Sequence, residues 1–150
     1  MEPEDLAVLY QIESERSAWR VSSSGIPYSK YVLKQYLSMQ PADIFQSSEL
    51  RLTIQDSYSG NAVGVADLYG YSPVALKAEV GIALLKKEER KGYARKALEE
   101  LIQLANDKFR MHQLYAYVKT SNERSIKLFQ CAGFDIVATL KDWIYEDGAY

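Results

Sequence analysis

The 150-residue chain has a single cysteine, Cys131, and a single histidine, His112. One thiol excludes an internal disulfide and any zinc site built on several thiolates. One imidazole excludes a multi-histidine metal centre, so no metal is expected. No run of about 20 apolar residues occurs, so nothing reads as a membrane span. A basic excess is missing too. The 18 Lys and Arg stand against 20 Asp and Glu, a net charge of −2, whereas a dedicated nucleic-acid binder normally carries a basic face. The opening MEPEDL is acidic, the wrong chemistry for a secretory signal. These absences leave a soluble, reducing, cytoplasmic protein whose partners include neither a nucleic acid nor a membrane. What is present is ordinary for a folded domain: 47% hydrophobic and 25% charged residues. The length suits one domain over residues 1–150, able to bury about two thirds of its unfolded surface. Tyrosine is the exception, at twelve residues, and tyrosines line pockets as well as cores.

No internal repeat, low-complexity tract or interdomain linker interrupts the chain. Leu6, Leu9, Tyr10 and Ile12 recur at helical spacing within residues 4–15. The stretch 21–27, rich in Ser with Gly and Pro, reads as a loop. From Tyr28 a second amphipathic helix presents Tyr31, Val32, Tyr36 and Leu37 and stops at Pro41. The period then falls to two. Leu50, Leu52 and Ile54 alternate with Arg51, Thr53 and Gln55, a half-buried strand. Across the turn Ser59-Gly60-Asn61, residues 62–69 read as its hairpin partner, and residues 79–85 as a central strand. Residues 91–109 carry a broad apolar stripe of Ala94, Ala97, Leu98, Leu101, Ile102, Leu104 and Ala105, the mark of a helix covered by a sheet. A fourth strand is expected over 113–119. A short helix capped by Asn122 and stopped at Gly133 follows, then a last strand over 134–145. Strand, helix and strand between Glu79 and Lys119 form a crossover, so those two strands should be parallel. The fold class is α/β (α+β), a mixed sheet with helices on both faces.

The most informative junction is residues 86–94, KKEERKGYA, where a central strand gives way to a charged turn and then a helix. The first amides of a helix have no internal partners and sit at the positive end of its dipole. Gly92 permits close approach, and Arg90 and Lys91 add charge, so the junction suits a pyrophosphate. Equally, Gly92 can be a plain turn residue among solvated charges. Neither the dinucleotide-binding GxGxxG nor the P-loop GxxxxGKS/T pattern occurs in the chain.

Taken in order, EVGIALLKKEERKGYARKAL and LYAYVKTSNERSIKLFQCAGF resemble the GNAT superfamily of acyl-coenzyme A N-acyltransferases. Glu89-Arg90-Lys91-Gly92-Tyr93-Ala94 is similar to that family's coenzyme A segment, Gln/Arg-x-x-Gly-x-Gly/Ala. Asn122, Ser125, Phe129, Gly133 and Phe134 are similar to its Asn-x-x-Ser/Ala-x-x-x-Tyr/Phe-x-x-x-Gly-Phe segment. The opening EPEDL, Trp19 and AEVGI resemble the branch that acetylates ribosomal-protein N-termini and spermidine. The resemblance implies a GNAT fold with a V-shaped opening between the two parallel central strands. It implies acetyl-CoA as co-substrate, its pantetheine arm along the main chain of Ile82, Ala83 and Leu84. The pyrophosphate would meet amides from Arg90 to Ala94, with Asn122 near the thioester and Ser125, Lys127 and Phe129 along the coenzyme.

Two departures from the family pattern bear on mechanism. Glu89 stands where Gln or Arg is usual and puts a negative charge near the diphosphate, which should reduce affinity. Phe129 stands where many members carry a tyrosine that protonates the leaving thiolate. Attack of an amine on a thioester still needs a proton removed. Glu79, at the start of the central strand, is the first candidate base, acting through water; its alternative role is a strand-end ion pair. Tyr115 and Tyr117 share a strand face and, with Asp67 and Tyr69, are second candidates, or core. Trp19, Tyr28, Tyr69 and Glu79 are expected at the acceptor. His112 reads as a connector residue, and Cys131 as a buried inert thiol.

The expected function is transfer of acetyl to a primary amine, a protein N-terminus or a polyamine, by direct attack in a ternary complex. Glu13, Glu15 and Asp43 could serve a polyamine, or be ordinary surface charges. The alternative is a non-catalytic acyl-CoA-binding regulatory module. Partners are the amine acceptor and, in a homodimer, a second copy of the chain. Asp147-Gly148 is a hairpin turn signal followed only by Ala149 and Tyr150. The resembling family has a strand after that turn and another before the equivalent of Glu2, so the fold is expected trimmed at both ends.

Overall fold

The computed structural model describes residues 1–15, 27–39, 43–145, 148 and 150. Among these, four strands form one sheet in the order β1-β2-β3-β4: β1 (Leu50–Gln55), β2 (Ala62–Ser72), β3 (Lys77–Leu84) and β4 (Gln113–Tyr115). The first two pairings are antiparallel, and β3 with β4 is parallel. The mixed sheet and its crossover are therefore as expected.

A short 3-10 turn at Pro3–Asp5 leads into α1 (Leu6–Ser14), and α2 spans Lys30–Met39. A four-residue helix, α3 (Ile44–Ser47), has no signal in the sequence because one turn has no periodicity to show. Asp43 caps it, its carboxylate accepting from the Phe45 amide at 2.9 Å, which makes Asp43 a structural cap. The crossover helix α4 runs Tyr93–Asp107, and α5 runs Glu123–Cys131.

Alternation divides the sheet into two faces. Ala66, Leu68, Ala78 and Val80 meet Leu98, Leu101 and Ala105 of α4 in the main core. Leu68 and Leu98 are fully buried, a contribution of about 1.5–3 kcal/mol each. On the opposite face Val65 packs with Ile12 of α1 and Leu85. Among the described residues no helix is long and apolar enough to cross a membrane.

Three expectations are corrected. The fourth strand ends at Tyr115 rather than Lys119, because β4 pairs only Gln113, Leu114 and Tyr115 with Lys77, Ala78 and Glu79. Beyond Glu79, β3 keeps β2 on one side and, among the described residues, has no strand on the other, so β3 and β4 part. Residues 134–145 form no strand, since the described residues offer them no ladder to join, and Ile136, Val137, Leu140 and Trp143 are exposed. Cys131 is exposed rather than buried. Its helix turns Leu128 and Phe129 to the core instead.

Candidate functional site

Strands β2, β3 and β4 and the starts of α4 and α5 make the site. After β3 the chain makes a 3-10 turn at Lys86–Glu88, and Arg90 and Gly92 then both adopt left-handed backbone, φ 64° and 88°. Gly92 is the N-cap of α4. A side chain added at Gly92 would meet nothing within 4 Å, so the turn lies open. Among the described residues, none of the backbone amides of Arg90, Lys91, Gly92, Tyr93 and Ala94 donates to a protein acceptor. Unfilled donors at a helix start form a cradle for an anion. The Tyr93 hydroxyl donates to Asp56 Oδ2 at 2.6 Å and ties the helix start to the β1–β2 turn. That bond, with those from Ser59, holds the Asp56 carboxyl down at about 2.

Glu89 does not confront the cradle as a bare charge. Its Oε2 accepts from Arg124 Nη2 at 2.9 Å, which links the turn to the first turn of α5. Lys91 Nζ similarly meets Glu88 at 2.8 Å. Asn122 has a structural duty: its side-chain oxygen accepts from the Ser125 amide at 3.1 Å and caps α5. Its amide hydrogens remain to offer a ligand. Ser125 is half-buried, Lys127 is exposed, and Phe129 packs edge-on against Phe134 at 5.1 Å with no proton to give. Ile82, Ala83 and Leu84 pair with Ala66, Val65 and Gly64 of β2, leaving the other edge of β3 unladdered where it parts from β4.

At the closed end of that opening, Glu79 lies between Tyr69 on β2 and Tyr115 on β4, one residue from each strand in register. Half-burial raises the Glu79 carboxyl above the ordinary carboxylate range. Burial, then the nearby Glu79 charge, raises the Tyr115 phenol. Tyr115 meets Tyr117 edge-on at 5.7 Å, and Tyr117 stacks on Trp143 at 6.1 Å. The Lys77 ammonium sits 5.9 Å from the centre of the Tyr115 ring. No ion pair of Glu79 is formed among the described residues.

Asp67 is not free to act as a base, and Glu13 is not an ordinary surface charge. Asp67 is 3% exposed and accepts from Arg51 Nε at 2.7 Å, Arg51 Nη2 at 3.3 Å and the Tyr69 hydroxyl at 2.5 Å. Arg51 also reaches Glu13 at 3.3 Å and donates to the Tyr69 oxygen at 2.5 Å. Burial and the Asp67 charge both push the Tyr69 phenol up, against the smaller opposing pull of Arg51. A signal for this network was present in the sequence. A lone carboxylate in the apolar run AVGVADLY needs a cationic partner when buried.

Tyr28 is half-buried ahead of α2, and Glu15 ends α1. Trp19 lies outside the described residues. His112 is exposed, and its backbone amide donates to Leu76 at 2.7 Å, as befits a connector. An open groove of about 540 Å³ is bordered by Glu4, Gln11, Gln55, Asn61 and Glu88. Neither Glu79 nor Gly92 lines it, so it lies apart from the chemistry above. Among the described residues no group of three or more His, Cys, Asp or Glu side chains could hold a metal ion.

Among known proteins the chain is similar to the spermidine N(1)-acetyltransferase of Vibrio cholerae, 22% identical over 107 residues. That alignment covers 71% of this chain and 61% of the relative, so the chain spans less than two thirds of its length. Solved structures agree on the fold. The Vibrio cholerae spermidine N-acetyltransferase in complex with CoA and spermine superposes with a TM-score of 0.87 at 21% identity, over 100% of this chain and 86% of that one. The dodecameric Vibrio cholerae enzyme in an intermediate state gives 0.81 at 22% identity, over 100% and 85%. The acetyltransferase (GNAT) domain family model matches residues 1–135, and the chain belongs to that family.

Proposed function

We propose that this chain transfers acetyl from acetyl-CoA to a primary amine, and that the amine is a polyamine. One observation carries the proposal: the free amides at Arg90–Ala94 and the half-buried Glu79 lie at the two ends of the unladdered edge of β3. An extended pantetheine arm could add to that edge as a strand does, with Ile82, Ala83 and Leu84 offering main-chain groups. The amides of Arg90 to Ala94 would hold the diphosphate, and Arg124 would lend a nearby positive charge. Ser125, Lys127 and Phe129 would border the coenzyme from α5, and the Asn122 amide would donate toward the thioester region.

At the other end, the amine would enter between Tyr69 and Tyr115, with Tyr28 on the acceptor side. Its nitrogen attacks the thioester carbonyl, and Glu79 accepts the ammonium or amine proton through water. The raised Glu79 carboxyl is a better matched base than an exposed one. Collapse of the tetrahedral intermediate expels the coenzyme thiolate, which leaves without an acid at Phe129 because a thiolate is a reasonable leaving group. Holding both reactants in one cleft supplies much of the acceleration.

A polyamine is favoured over a protein N-terminus by two things. The relatives named above are spermidine acetyltransferases, one of them holding spermine. The Tyr115 ring beside Glu79 already has an ammonium, that of Lys77, over it, and a carboxylate flanked by aromatic faces suits cationic amines. A non-catalytic coenzyme-binding module is the second reading, favoured by Phe129.

The test is thiol release from acetyl-CoA with spermidine, a monoamine and an N-terminal-alanine peptide, beside a thermal shift with acetyl-CoA alone. Turnover highest with spermidine is expected. A thermal shift with no thiol release on any amine would establish the binding module, and no shift at all would sink both.

A further inference from the structure

Resting on the acceptor-site proposal above, we propose that Arg51 is a positioning residue for the amine: clamped on Asp67, it fixes the Tyr69 phenol, and the ring so fixed is the wall that seats the acceptor beside Glu79. Nothing in the two family segments points to Arg51, which lies on β1, with β2 and β3 between it and β4.

The geometry leaves Tyr69 little freedom. Its hydroxyl donates to Asp67 and accepts from Arg51, both at 2.5 Å. The guanidinium in turn grips Asp67 through Nε and Nη2, and reaches Glu13 on α1 through Nη1. It also lies over the rings of Tyr36 and Tyr69, 5.5 and 5.8 Å from their centres. Arg51 and Asp67 are 12% and 5% exposed at their side chains, so water does little to loosen the pair.

The ring carbon next to the hydroxyl-bearing one is held sterically. A methyl group at Gly81 would come within 3.0 Å of Tyr69 Cε2, and within 3.5 Å of Asp67 Cβ. Gly81 therefore lets the ring lie close over β3, next to the Glu79 position. Pinned at its hydroxyl and resting on a glycine, the ring has one place to be. A wall this rigid reduces the ordering cost of seating a flexible acceptor.

A purely structural ion pair would predict something different, and the two separate in kinetics. Three variants, Tyr69→Phe, Arg51→Lys and Gly81→Ala, are compared with the wild type for the KM of spermidine, the KM of acetyl-CoA and the melting temperature. Tyr69→Phe releases the hydroxyl while keeping Arg51 on Asp67. Gly81→Ala pushes the ring and removes no charge. Lysine retains the charge of Arg51 but cannot make the two-pronged contact.

The expected result is a spermidine KM raised roughly five- to tenfold in Tyr69→Phe and Arg51→Lys, in line with one lost hydrogen bond. Gly81→Ala should raise it with the melting temperature held, and all three should leave the acetyl-CoA KM within about twofold. Should Arg51→Lys fold poorly, the other two decide the matter. Lower melting temperatures with an unchanged spermidine KM would reduce the network to a structural pair and overturn the inference. Absence of thiol release by the wild type with any amine would instead overturn the acceptor site itself, and this inference with it.

Discussion

Replacing Asp67 with alanine should be the most damaging single change on the α1 face of the sheet. Asp67 takes three hydrogen bonds, two from Arg51 and one from Tyr69, at 2.7, 3.3 and 2.5 Å. Its removal leaves a guanidinium that is 12% exposed facing a void, with Glu13 at 3.3 Å still beside it. Breaking a buried ion pair from one side costs about 3–5 kcal/mol. Because Glu13 remains, the lower figure applies, about 3 kcal/mol. At about 2–4 °C per kcal/mol for a domain of this size, the midpoint should drop by about 6–12 °C. Urea unfolding followed by circular dichroism gives the free energy directly, and a thermal scan gives the midpoint. The pair Arg51→Met with Asp67→Leu is the control. Removing both charges together should recover most of the loss, because well-packed apolar replacements of a buried pair are often neutral. The reasoning is refuted if Asp67→Ala costs less than about 1 kcal/mol, or if the double variant is as unstable as the two single losses summed.

Glu79→Gln should abolish the acid limb of the pH–rate profile, since turnover needs the ionised carboxylate and burial raises its ionisation above the ordinary range. The same shift has a sign for stability. A carboxyl that holds its proton more tightly folded than unfolded makes the fold lose stability as pH rises from the unfolded to the folded pKa. Glu79→Gln should therefore hold or gain thermal stability at neutral pH while losing activity, and a loss of both would contradict it. Glu89→Gln should tighten acetyl-CoA binding in titration calorimetry by up to about fivefold at low salt, the equivalent of about 1 kcal/mol for an exposed charge. Weaker binding would mean that the Glu89–Arg124 pair acts as a brace for the cradle. Gly92→Val places a side chain at φ 88°, a strain of at least about 1–2 kcal/mol, and covers the open amides. Acetyl-CoA affinity should fall by about tenfold or more; unchanged affinity would move the diphosphate elsewhere.

Much of this protein is legible along the chain because its signals are local. The apolar stripe of α4 has the period of a helix, and the hairpin turn at Ser59-Gly60-Asn61 stands between two strands. The left-handed Gly92 at the start of α4 is likewise a local requirement, met by the residue type that tolerates it best. The last strand expected over 134–145 failed for the opposite reason. Alternation states which face would be buried, but a strand exists only where another strand supplies its ladder. Cys131 misled similarly, because a nine-residue helix that packs one side only leaves its other side in water whatever the residue.

The sequence by itself determined the longer helices, the first three strands, the crossover between β3 and β4 and the segment able to cradle an anion, since most of these signals lie among neighbours a few residues apart. Only the tertiary structure decided the chemistry of the charged groups. Arg51 and Asp67 are 16 positions apart and Glu13 is 38 from Arg51, yet the covering of β1 and β2 by α1 and α2 makes them one buried network. Glu89 and Arg124 are 35 apart, and meet because the crossover lays β4 parallel to β3, so the segments that follow the two strands leave the same end of the sheet. A charge takes its meaning from its solvent and its partner, and both are set by packing between distant segments.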